Sequence, residues 1–95
     1  MVKEIEVKVT GRVQMVMFRD FTMRKARGLG IVGTVQNMKD GSVHIVAVGE
    51  EAVLQEFLMK IHQGSIFSRV EDVAVEWSDP MHNFTNFVIL YGYGE

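Results

Sequence analysis

A chain of 95 residues can close one hydrophobic core but not two, so residues 1–95 read as a single domain. Apolar residues make up 47% and charged ones 23%, a globular balance and not a disordered one. The formal net charge of −2 excludes a general affinity for nucleic acid or an anionic membrane, and the lack of cysteine excludes disulfides and thiol chemistry.

Residues 2–9 alternate, with Ile5, Val7 and Val9 toward a core and Glu4, Glu6 and Lys8 toward water, which predicts a strand. A loop from Gly11 follows. Phe18, Thr22, Ala26 and Leu29 then recur at helical spacing opposite Arg24, Lys25 and Arg27, predicting a helix over about 18–29 stopped near Gly28 and Gly30. Residues 31–38 read as a second strand, Asn37-Met38-Lys39-Asp40-Gly41 as a hairpin turn, and residues 42–48 as a third strand. Glu50 and Glu51 open a second helix whose apolar stripe is Leu54, Phe57, Leu58 and Ile61, with Gly64 placed to end it. Residues 70–77 form a fourth strand, broken by Ser78-Asp79-Pro80-Met81-His82-Asn83, and Phe87, Ile89 and Tyr91 alternate in a last one. The methionines read as core fillers, apart from Met15 and Met17 in the loop.

The order is β-α-β-β-α-β plus a short extra strand or extended C-terminal segment. It predicts an α+β, ferredoxin-like sandwich with two helices on one face of a mostly antiparallel sheet. Strands one and two, joined by a helix, should run in the same direction, bringing Val9-Thr10, the loop and Gln36-Asn37-Met38 to one edge. There the helix start leaves backbone N–H groups without intrahelical partners. Arg19 in the first turn either adds a guanidinium to an anion site or is a solvated helix-start residue. Asn37 either converges on the same site or only shapes the hairpin.

The stretch Gly11-Arg12-Val13-Gln14-Met15-Val16-Met17-Phe18-Arg19 resembles the acylphosphatase family. So do Arg24-Lys25-Ala26, Gly33-x-Val35-x-Asn37, Asp40-Gly41-Ser42-Val43, Ser68-Arg69-Val70-Glu71 and Phe84 to Tyr91, so the similarity covers nearly the whole chain. It implies the same fold and an enzyme that hydrolyses acyl phosphates to carboxylate and inorganic phosphate, with no cofactor, no metal and no covalent intermediate. In that family the residue matching Arg19 binds the phosphoryl group together with loop amides, here those of Gln14, Met15, Val16, Met17 and Phe18. The residue matching Asn37 positions the attacking water.

Met15 stands where the family usually has glycine, and Met17 where it often does. A side chain at positive φ costs roughly 1–2 kcal/mol, so the loop either follows another path or is strained or partly occluded. The alternative to an active enzyme is therefore a weak or inactive anion-binding module of the same fold. Asp20 is expected to face water.

Rival chemistries find little support. His44, His62 and His82 lack a metal-ligand spacing, the serines lack a nucleophile elbow, and Glu50-Glu51 and Glu71-Asp72 read as solvated faces. RNA recognition on this fold needs aromatic residues on the third strand, and residues 42–48 have none. The charged N-terminus lacks a signal peptide's apolar run and no stretch is long enough to span a bilayer, so a cytoplasmic protein is expected; the further expectations are a stand-alone monomer and no nucleic-acid or membrane partner.

Overall fold

The computed structural model describes residues 1–95. Its elements are β1 (Val2–Arg12), α1 (Phe18–Gly28), β2 (Val32–Met38), β3 (Val43–Glu50), α2 (Glu51–Gln63), β4 (Arg69–Ser78) and β5 (Phe87–Gly94). The strands form one sheet in the order β4-β1-β3-β2-β5. Every neighbouring pair is antiparallel except β2 and β5, which run parallel. This is the expected α+β sandwich, with β5 as the extra strand.

Alternation explains the layering. Ile5, Val7 and Val9 of β1, Val35 of β2, and Val43, Ile45 and Ala47 of β3 are fully buried, together with Ala26 of α1 and Leu54, Phe57 and Ile61 of α2. These residues belong to a single apolar cluster, so both helices cover the same sheet face. Because β3 lies between β1 and β2 and is antiparallel to both, β1 and β2 point the same way. Their carboxyl ends share an edge, and that edge carries the loop into α1. Gly64, at φ 72, ends α2 as its position suggested.

Three expectations need correction, and one point left open, the C-terminal segment, is taken with them. First, β1 does not end at Val9 but runs to Arg12, with a bulge against β4 between Thr10 and Gly11. Gly11 has φ 122, and a Cβ there would collide with the Arg69 carbonyl oxygen, so the strand can bend into the loop only with glycine. Second, β5 extends to Gly94, whose carbonyl accepts from the Lys39 N–H at 2.9 Å, so the C-terminal segment belongs to the sheet edge. Third, the methionines outside the loop are mostly not core fillers: Met1, Met59 and Met81 are exposed, none is fully buried, and Met23 alone packs, partly buried, against the core.

Fourth, Glu4 does not face water. It is 2% exposed because the segment after β4 folds over it. Its Oε1 accepts the backbone N–H groups of Met81 and His82, each at 3.0 Å, and its Oε2 lies 2.8 Å from His82 Nδ1. The His82 ring stacks on Phe84. Burial alone would raise the Glu4 carboxyl. The Met81 N–H, the His82 side chain and the His82 N–H outweigh it and hold the group below its ordinary value.

A folded-state pKa below the unfolded one means that the carboxylate's contribution is complete above the unfolded value and is lost as pH falls through the folded one. Glu4→Gln keeps the shape without the charge. It is expected to lower stability by about 1–2 kcal/mol at about pH 7, and by much less at about pH 3. Urea melts of parent and variant at both pH values check this, and a gap that does not change with pH would rule out an ionic contribution.

Candidate active site

The loop between β1 and α1 turns through two residues in the left-handed region, Met15 at φ 60 and Met17 at φ 62, ψ 24. Val16 between them has no positive φ. Alternation of this kind turns successive N–H groups toward one concavity, an anion-binding arrangement of main-chain donors. None of the backbone N–H groups of Val13 to Met17 donates to a protein acceptor. The first bond of the helix start is Phe21 N–H to the Met17 carbonyl at 3.1 Å, so the amides of Phe18, Arg19 and Asp20 stand open as well. Met17 is the N-cap and supplies no side-chain cap. These donors lie at the positive end of the α1 dipole.

The loop keeps the positive-φ path that glycine would take and carries its strain, at roughly 1–2 kcal/mol per residue. Met15 is 92% exposed and Met17 67%, so both side chains stand largely in water, at the rim of the cleft that they line. Val13 and Phe18, each 1% exposed, anchor the two ends of the loop in the core.

Arg19 is half-buried and makes no ion pair or hydrogen bond within the protein. Its guanidinium carbon sits 5.5 Å from the centre of the Tyr91 ring, within cation–π range. It lines a cleft of about 530 Å³ with Met15, Met17, Asp20, Ile89 and Tyr91 among its walls. Asp20 pairs with Arg24 at 2.9 Å, one helical turn along, which occupies the carboxylate that would otherwise repel an anion.

Asn37 is the last inward-facing residue of β2, after Gly33 and Val35, and is 3% exposed. Its Oδ1 is buried without a hydrogen-bond partner, an arrangement that is costly unless a ligand or water group meets it. Asn37 does not line the Arg19 cleft itself. What ties its strand to the loop is Gln14, whose Nε2 donates to the carbonyls of Met38 and Ser42, each at 2.8 Å. The Ser42 carbonyl also accepts the Met38 N–H, so one carboxamide bridges the loop and the closing pair of the hairpin.

That hairpin is itself held. Asp40 accepts from the Ser42 hydroxyl at 2.5 Å and the Ser42 N–H at 2.9 Å, and its other oxygen meets Lys8 Nζ at 3.0 Å. The Ser42 bonds first, and Lys8 after them, hold its carboxyl well below the usual carboxylate range.

Of the residues expected at the site, Gln14, Met15, Val16, Met17, Phe18 and Arg19 follow one another around the loop, and Asn37 neighbours the carbonyl that Gln14 grips. Two contributors were not anticipated. Gln14 acts through its side chain as well as its amide, for which a loop residue offers no periodic signal. Tyr91 reaches Arg19 because it shares a face of β5 with Phe87 and Ile89, which the alternation does imply. The histidines are dispersed: His44 meets Glu6 at 2.7 Å, His62 the Leu58 carbonyl at 2.9 Å, and His82 Glu4.

The acylphosphatase family model matches residues 5–89. An acylphosphatase from Salinibacter ruber is 44% identical over 85 residues, covering 90% of each chain. One from Archaeoglobus fulgidus is 44% identical over 87 residues, covering 92% of this chain and 97% of its own. The solved structure of the Bacillus subtilis acylphosphatase superposes with a TM-score of 0.91 at 38% identity, over 96% of this chain and all of that one.

If left-handed methionines strain the loop, replacing them should relieve it. Met15→Gly and Met17→Gly are each expected to raise stability by about 0.5–1 kcal/mol, after the extra backbone entropy of glycine in the unfolded chain. Thermal melts check the sign, and a lowered midpoint would mean that methionine contacts outweigh the strain.

Proposed function

The chain belongs to the acylphosphatase family, hydrolases of acyl phosphates, and we propose that its loop amides and Arg19 hold the phosphoryl group while Asn37 holds the attacking water. The observation that carries this reading is the run of unpartnered main-chain donors from Val13 to Asp20, with an uncommitted guanidinium beside it.

In this scheme the phosphoryl oxygens accept hydrogen bonds from the amides of Gln14, Met15, Val16, Met17 and Phe18. The Arg19 fork neutralises charge on the same oxygens. The Asn37 side-chain oxygen accepts a hydrogen bond from water and aims its oxygen at phosphorus, opposite the acyl oxygen. The new P–O bond forms as the bond between phosphorus and the acyl oxygen breaks. The electron pair leaves on the carboxylate, and both water protons end on the phosphate, one on the attacking oxygen and one on a neighbouring oxygen. A carboxylate leaving group needs no general acid, so positioning and electrostatic stabilisation suffice. The same reading takes residues 1–95 as one catalytic unit, a cytoplasmic monomer acting on a small acyl phosphate and releasing inorganic phosphate, with no nucleic-acid or membrane partner.

Strain in the loop does not favour an inactive module: Met15 and Met17 are exposed, and the cleft that they line together with Arg19 stays open at about 530 Å³.

Arg19→Ala and Asn37→Ala are each expected to keep the parent far-UV circular dichroism and to lower kcat for benzoyl phosphate by about 10²–10³. Parent-like hydrolysis by both variants would refute the assignment.

A further inference from the structure

The cleft beside Arg19 has a second property that phosphate binding does not use. Ile89, Tyr91, Met15 and Met17 all line it, and Tyr91 is 77% exposed. Apolar side chains held this far in water at the mouth of a charged site favour an apolar group that covers them.

The place of Ile89 and Tyr91 in the sheet explains why they stand where a substrate would emerge. Ile89 pairs with Val35, and the β2–β5 register shifts between Gln36 and Met38, so Tyr91 falls in the irregular stretch beside Asn37. The side chain is left free to lie against Arg19. A second cleft, with Val16, Phe21, Ile66 and Phe67 among its lining, is smaller at about 270 Å³ and is not lined by Arg19. Asp20 lines both clefts with its carboxylate paired to Arg24, so what selects in the first cleft is its mostly apolar lining, which suits an uncharged acyl group.

Resting on the proposed roles of Arg19 and the loop amides, we infer that the acyl group lies in the β5-side cleft against Ile89 and Tyr91, and that this subsite selects uncharged aromatic or branched acyl phosphates over small ones. Tyr91 is then a specificity-determining residue. Its contact with the acyl group is made in the bound substrate and in the transition state alike, so its loss falls mainly on KM.

The test compares acetyl phosphate with benzoyl phosphate on the parent, Tyr91→Ser and Phe67→Ser, reading kcat and KM separately. The parent is expected to favour benzoyl phosphate in kcat/KM. Tyr91→Ser should cut that preference about tenfold, mainly through KM for benzoyl phosphate, while Phe67→Ser keeps it. Equal losses on both substrates would mean that Tyr91 acts through Arg19, and would overturn the subsite. So would an unchanged preference, or a loss of preference in Phe67→Ser. A parent inert on both substrates would refute the Arg19 and Asn37 assignment itself, and the subsite with it.

Discussion

A main-chain N–H inside a protein normally finds an acceptor, and from Val13 to Asp20 the chain goes without one. Two left-handed residues hold that run in a turn, and no carbonyl of the protein closes it. Stability is given up in backbone strain at Met15 and Met17. Buried side chains at both ends, Val13 and Phe18, and the grip of Gln14 on the hairpin keep the run from collapsing into ordinary helix. On the proposed function, it is a tetrahedral oxyanion that supplies the acceptors that the protein withholds.

The rest of the fold positions that turn. An antiparallel β3 between β1 and β2 sets the two strands in the same direction, and their common edge receives the loop from one and Asn37 from the other. The helices lie on the face where Val9, Val35 and Asn37 point, so Asn37 is buried on the core side of the sheet. On the opposite face, Glu4 draws the segment after β4 against the sheet. The site therefore stands on strands and a helix start, with only the turn itself irregular.

Much of this was legible from residue order. Ile5, Val7 and Val9 mark β1 by alternation, Asp40-Gly41 marks the hairpin, Gly64 ends α2, and the crossover rule brings Arg19 and Asn37 to one edge. What alternation cannot see is a contact made from a distance. Glu4 has the parity of a solvent-facing residue, yet it is buried by Met81 and His82, from the far end of the sequence. The exposed methionines were misread because hydrophobicity alone does not distinguish core from rim. The strain at Met15 was foreseeable as one of two alternatives, and the structure selects the positive-φ path. The Gln14 bridge carries no pattern at all, since it depends on where the hairpin carbonyls come to lie.

The claim on which the account depends is that the unpartnered amides receive an anion. Titrating the ¹⁵N-labelled protein with inorganic phosphate, amide by amide, tests it most directly. The account predicts that the largest chemical-shift changes fall on residues 13–20 and the Asn37 side chain, and that Arg19→Ala abolishes them. Changes centred elsewhere, or a loop that does not respond to phosphate at saturation, would contradict it.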